Sequence, residues 1–248
     1  MKIVSIINLK GGVGKTTTTI NIAALLAGKH GKRVLIIDND PQGNTSQFFG
    51  HYAKGDWICQ TGEMLLGKTP IISNVAAGVD LIDANMTLLE ADNNLRASTG
   101  RQDNLYSEFL KGVAPMYDYC IIDNPPAILM CTINALCASH EVIVPVTLDN
   151  WALDGVETIT GQITDIKALN KDLKIAGILL TNYKKSIENE AAEGWLRNNC
   201  QYPVFKTKIR YSNKAVAATY YKQPLEEYSS RSAAATDYRK FVKEYAGV

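Results

Sequence analysis

The decisive stretch is Lys2-Ile3-Val4-Ser5-Ile6-Ile7-Asn8-Leu9-Lys10-Gly11-Gly12-Val13-Gly14-Lys15-Thr16-Thr17, at the start of a 248-residue chain. Its first half is a β-branched apolar run, the pattern of a buried strand. Its second half carries Gly11, Gly12 and Gly14 and opens a helical pattern over residues 16–29. Strand, glycine loop, Lys-Thr and helix in that order form the context of a phosphate-binding loop. The glycines let the backbone turn sharply, so that N–H groups around Val13 approach phosphate oxygens. A helix opening near Lys15 adds the positive end of its dipole. Lys15 is expected to reach the β- and γ-phosphates, and the Thr16 hydroxyl to ligate Mg²⁺. Thr17 is placed to hydrogen-bond the α-phosphate. The strict pattern G-x-x-x-x-G-K-[ST] is not met, because Leu9 stands where its first glycine belongs. An additional lysine, Lys10, opens the loop instead. It is either a solvated surface charge or a group that serves a phosphate held by another subunit.

Outward from this loop, short β-branched runs alternate with helical patterns. Strands are predicted at residues 3–7, 33–38, 79–84, 119–123, 141–146 and 174–181, with a last one near 203–209. Helices are predicted at 16–29, 104–112, 132–139, 153–169, 187–199 and 233–245. Several strand runs are continuously apolar, as in parallel strands covered on both faces. The alternation implies an α/β fold: a doubly wound, mostly parallel sheet with helices on both faces, the P-loop NTPase arrangement. Residues 50–69 are mixed in character and fit neither pattern. No linker, repeat or low-complexity tract divides residues 1–248, which are expected to form one domain.

Composition excludes several classes. Apolar content is 46% and charged content 21%, ordinary for a globular chain. With a net charge of +1, any nucleic-acid or membrane affinity must come from a local patch. Five cysteines with no C-x-x-C spacing argue against a disulfide framework and for a reducing cytoplasm. The amino-terminal run is too short for a signal peptide. No apolar stretch approaches the ~20 residues that cross a bilayer.

Two acidic strand ends complete the expected site. Asp38-Asn39-Asp40-Pro41-Gln42-Gly43-Asn44 follows the second strand, and a carboxylate there faces the ligand crevice of a doubly wound sheet. Asp38 is placed to hold a Mg²⁺-bound water, and Asp40 to position or deprotonate an attacking water. The same residue types also build ordinary turns. Ile121-Ile122-Asp123-Asn124-Pro125-Pro126 is the second such end. Asp123 fits the carboxylate that holds Mg²⁺ opposite Thr16. The proline pair stops any helix there and makes a stiff segment suited to sensing the γ-phosphate.

These motifs resemble the ParA (Soj-like) partition ATPases, within the deviant Walker A group that includes the MinD and nitrogenase iron-protein types. The resemblance rests on residues 10–17, 38–44 and 121–126, supported by Val144-Pro145-Val146 and Ala152-Leu153-Asp154-Gly155. It implies an ATP- and Mg²⁺-dependent switch. Lys10 resembles the signature lysine that crosses a nucleotide-sandwich dimer to the partner's phosphates. Lys15 and Thr16 resemble the loop lysine and Mg²⁺ ligand, Asp40 the aspartate required for hydrolysis, and Asp123 the Mg²⁺-associated aspartate. Asn182 and Arg210 fall near the family's adenine-contact segment. Here Ile209-Arg210-Tyr211 lacks the proline that many members carry before this arginine, and Asn124 stands where many carry Cys or Thr.

Residues 195–224 contain Arg197, Lys206, Lys208, Arg210, Lys214 and Lys222 and no acid. Such a stretch is either a solvated face or a surface for the DNA phosphate backbone. The resemblance favours non-specific DNA, bound by an ATP dimer, with hydrolysis stimulated by a ParB-like centromere-binding partner. Two alternatives share the chemistry: a MinD-like membrane-associated positioning ATPase, and a ParA-type ATPase that positions a protein cargo. The last helix is partly basic, but its few large apolar residues suit packing on the sheet better than a membrane surface.

Overall fold

The strands are β1 (Lys2–Ile6), β2 (Val34–Asp38), β3 (Ser73–Ala76), β4 (Val79–Ile82), β5 (Tyr119–Asp123), β6 (Glu141–Val146) and β7 (Lys174–Leu180). The helices are α1 (Lys15–His30), α2 (Asn44–Phe48), α3 (Gln60–Leu65), α4 (Leu88–Ala97), α5 (Leu105–Val113), α6 (Met130–Ala138), α7 (Ala152–Ile166), α8 (Ile187–Asn199), α9 (Asn213–Tyr220), α10 (Leu225–Ser229) and α11 (Ala233–Ala246). The computed structural model describes residues 1–55, 57–149 and 152–248, without the side chains of 152–155. The supporting stretch at residues 152–155, and the start of the predicted helix 153–169, therefore have side chains outside the described residues.

The seven strands form one sheet in the order β3-β4-β2-β5-β1-β6-β7. All pairings are parallel except the antiparallel β3–β4 edge. Every side chain of β2 is buried, which requires cover on both faces. One face packs α1 and α11 around Leu26, Ile36, Leu81 and Phe241. The other packs α3 to α6 around Leu35, Ile122 and Tyr106. Toward β7 the core continues under α7 and α8, around Ile159, Ile178 and Leu196. In α11, Phe241 and Val242 are fully buried, so the apolar residues that a membrane-surface helix would use are spent on the sheet. Among the described residues no helix is long and apolar enough to cross a membrane.

Several elements differ from the sequence expectation, which included none of the helices α2, α3, α4, α9 and α10. Residues 203–209 do not form a strand. They follow β7 through two isolated bridges, Ile178 with Val204 and Tyr183 with Arg210. Between the bridges the Glu244 carboxylate accepts the backbone N–H groups of Lys206 and Thr207 at 2.7 and 2.9 Å, and a side chain thus replaces the ladder. The short edge strand β3 was not expected, because its residues Ser73-Asn74-Val75-Ala76 lack an apolar run. Within residues 50–69, α3 forms because Met64 and Leu65 insert into the core.

Register places the site. Asp123 at the end of β5 pairs with Ile6 of β1 on one side and Asp38 of β2 on the other. The glycine loop and both acidic ends therefore emerge together at the carboxyl edge of the central strands.

Candidate active site

The loop after β1 enters α1 through two left-handed residues, Gly12 at φ 74° and Gly14 at φ 83°. A Cβ on Gly12 would meet nothing within 4 Å. It is the backbone conformation that selects glycine there, and the space beside it stays open for a ligand. The cradle is braced from behind: the Thr181 hydroxyl donates to the Val13 carbonyl at 2.7 Å, and the amide of Asn182 reaches the Gly12 carbonyl at 3.5 Å. Asn182 itself sits at φ 50°, a conformation that asparagine tolerates better than most residues.

A cleft of about 460 Å³ opens over this loop, lined by Gly11, Gly12, Gly14, Lys15, Thr16, Thr17, Asp40, Gln42, Asn182 and Arg210 among others. Lys15 is only 8% exposed. Its ammonium donates to the Lys10 carbonyl at 3.1 Å. Burial lowers its pKa, opposed by Asp123 and Asp40. Arg210 also lines the cleft, with its guanidinium paired in two prongs to Asp237 at 2.7 and 2.8 Å. Ile209, just before Arg210, is buried, and its carbonyl accepts the Tyr183 N–H at 2.9 Å.

The carboxylates differ sharply in their partners. Asp123 Oδ2 accepts the hydroxyls of Thr16 and Thr45 at 2.7 and 2.8 Å. Its other oxygen, Oδ1, is buried with no partner. Burial pushes its carboxyl up to about 6, against the Thr16 and Thr45 hydrogen bonds. Asp38 is fully buried. It accepts the N–H and hydroxyl of Ser46, each at 2.7 Å, and the N–H of Asp40 at 3.2 Å. Burial, then the neighbouring Asp123, raises its carboxyl well above the ordinary range. Its oxygens thus hold the turn that carries Asp40. Asp40 lines the cleft and is held by accepting the Gln42 N–H at 2.9 Å. A buried, unpartnered oxygen on Asp123, whose other oxygen accepts the Thr16 hydroxyl, is a donor set that suits a hard divalent cation. Thr45 and Ser46 went unnoticed in the sequence; their only signal is their place just after the Asp40 turn.

The raised Asp123 gives a pH expectation. Its folded pKa of about 6 exceeds an unfolded value near ~4. The ionised carboxylate therefore costs stability above pH ~6, and that cost fades as pH falls toward ~4. Without nucleotide, Asp123→Asn is expected to melt higher than wild type at pH 7. The gap between their thermal midpoints should narrow by pH 5; a gap that widens on acidification would contradict the assignment.

The basic residues divide into two groups. Arg197 pairs with Glu193 and donates to the Val204 and Phe205 carbonyls. Lys208 pairs with the same Glu193 and lies over the Tyr183 ring at 3.9 Å. Lys206, Lys214 and Lys222 are exposed. Lys10, beside the glycine loop, has its ammonium on Asp149 and is absent from the cleft lining.

A family profile described as an AAA domain matches residues 1–175. The chain is 40% identical over 185 residues to the sporulation initiation inhibitor protein Soj of Bacillus subtilis, covering 73% of this chain and 72% of that one. It is 36% identical over 212 residues to the chromosome-partitioning ATPase Soj of Thermus thermophilus, covering 83% and 80%. Among solved structures, cobyrinic acid a,c-diamide synthase from Mycobacterium smegmatis, with bound ATP analogue and magnesium, superposes with a TM-score of 0.84 at 29% identity over 98% of this chain and 93% of that one. Its match reflects a shared nucleotide-binding architecture, whereas the sequence matches run to partition proteins. The chain belongs to the Soj/ParA family of P-loop ATPases.

Proposed function

We propose that this chain is an ATP-driven switch for DNA partitioning, which binds ATP with Mg²⁺, forms a sandwich dimer, and holds non-specific DNA until hydrolysis releases it. The observation that carries the reading is Lys10: its ammonium sits outside its own cleft, on Asp149, beside the loop that binds phosphate. A cation so placed suits a nucleotide held by a second copy.

In this reading the loop N–H groups and Lys15 bind the phosphates, with Asn182 and Arg210 toward the base. Thr16 and Asp123 would hold Mg²⁺, whose charge offsets that of the phosphate oxygens; Asp38 supports the site by fixing the Asp40 turn rather than by lending a free oxygen. Asp40 orients a water toward the γ-phosphate and receives its proton. Intrinsic turnover is slow, because Arg210, the one arginine lining the cleft among the described residues, is held on Asp237 and leaves catalysis to positioning and the remaining electrostatics, and a ParB-like partner stimulates it. DNA contact falls to Lys206, Lys214 and Lys222, with Lys184, stacked at 4.4 Å over the Tyr211 ring, extending the surface. Arg197 and Lys208, tied to Glu193, support that surface from within. The protein would then act in the cytoplasm, on the nucleoid.

The test is DNA binding by wild type and Lys10→Ala, with ATP, ADP or no nucleotide, at two salt concentrations. Wild type should bind only with ATP and weaken steeply with salt. Lys10→Ala should keep ATP affinity within about threefold, since the ammonium lies outside its own cleft, yet lose DNA binding. Equal binding in all nucleotide states would overturn the switch.

A further inference from the structure

Behind the two acidic strand ends runs a chain of buried polar groups that touches neither nucleotide cleft nor solvent. Tyr106, Asn39 and Asn124 are all fully buried. The Tyr106 hydroxyl donates to Asn39 Oδ1 at 2.7 Å. Asn39 Nδ2 donates to Asn124 Oδ1 at 2.9 Å. Asn124 Nδ2 donates to the carbonyls of Ile6 and Ile122 at 3.3 and 3.2 Å.

The direction of every link is fixed from one end. Carbonyls only accept, so Asn124 must turn its NH₂ toward Ile6 and Ile122 and its oxygen toward Asn39. Asn39 must then present its own NH₂ to that oxygen and its carbonyl to Tyr106, whose hydroxyl closes the chain as donor. Burial raises the Tyr106 pKa far above its ordinary value, so that donor does not ionise. Aspartate at 39 or 124 would set acceptor against acceptor and add a buried charge beside Asp38 and Asp123.

The chain also bridges the two site elements. Asn39 lies between Asp38 and Asp40, and its backbone N–H donates to the Asp123 carbonyl at 2.9 Å. Asn124 directly follows Asp123 and donates its backbone N–H to Ile6 at 3.1 Å. Tyr106 is anchored in turn: Asn134 Oδ1 on α6 accepts the N–H of Leu105 at 2.9 Å, pinning the first turn of α5.

We propose that Tyr106, Asn39 and Asn124 act as positioning residues for hydrolysis, locking the Asp40 turn to the Asp123 strand end through one directed chain of hydrogen bonds. This rests on the reading that Asp40 directs the attacking water. A tyrosine that merely satisfies the core would set stability alone. A positioning tyrosine also sets turnover, because a small misplacement of a water-directing group slows the chemical step without weakening nucleotide binding.

The experiment is single-turnover ATP hydrolysis and equilibrium ATP binding by Tyr106→Phe, Asn124→Ser, the double variant and Asp40→Ala, each below its melting temperature. Tyr106→Phe should lower the hydrolysis rate about tenfold with ATP Kd within twofold. Because both groups act through one chain, the double variant should be no slower than the slower single variant. If Tyr106→Phe does not fold, Asn124→Ser, which leaves the aromatic core whole, carries the same expectation. An inactive Asp40→Ala beside folded single variants at wild-type rate would overturn the positioning proposal alone. So would losses that multiply in the double variant, or a Kd that weakens as much as the rate. Asp40→Ala at wild-type rate would overturn the role of Asp40, and this proposal with it.

Discussion

Asp40→Ala is expected to bind ATP, dimerise and hold DNA while losing turnover by about 10²-fold or more, the scale of a removed general base or water-orienting carboxylate. The selectivity of this loss follows from how the residue is held. Asp40 lines the cleft, and its carboxylate accepts the Gln42 N–H. Its neighbour Asp38 carries the structural bonds to Ser46. Removing the Asp40 side chain therefore leaves the turn tied by the Gly43 N–H to its backbone carbonyl, at 2.8 Å, and leaves the phosphate cradle intact. ATP affinity within about threefold of wild type, with phosphate release lost, is the result expected from parallel binding and turnover assays. Undiminished turnover would move the water-directing role elsewhere.

Lys15→Ala should behave oppositely, losing ATP affinity by about 10²- to 10³-fold as charge-assisted contacts to phosphate disappear. Lys15 is also the cation set among the buried carboxylates: burial lowers its pKa, while Asp123 and Asp40 favour its protonated form. Its loss leaves those carboxylates less compensated. The variant should therefore lose some thermal stability in addition to nucleotide binding, and the loss should be smaller at pH 5, below the raised pKa of Asp123. Calorimetric titration with ATP checks the first expectation; tight binding retained by Lys15→Ala would refute the cradle.

Much of this site is legible in the sequence because it is local. Lys10 to Thr17 sit on one turn of chain, and each acidic residue follows its own strand, so their exit on one sheet edge follows from parallel pairing. What stays hidden depends on chain segments far apart. Nothing near Asp38 announces that Ser46 takes up its oxygens, or that the unpartnered oxygen belongs to Asp123. Residues 203–209 carry a strand-like pattern, yet Glu244, almost forty residues later, takes the N–H groups a ladder would need. Charge counting grouped Arg197 and Lys208 with the exposed lysines, because Glu193 lies just outside the acid-free stretch. Asn39, Asn124 and Tyr106 look like unrelated polar residues until β2, β5 and α5 converge.

The central claim is that ATP, through a second copy, turns this chain on. The most direct measurement is the solution mass of Asp40→Ala by light scattering, with Mg²⁺-ATP and with Mg²⁺-ADP. The mass should be twice the 27.2 kDa chain mass with ATP and equal to it with ADP. A single-chain mass under saturating ATP, or a dimer in both states, would contradict it.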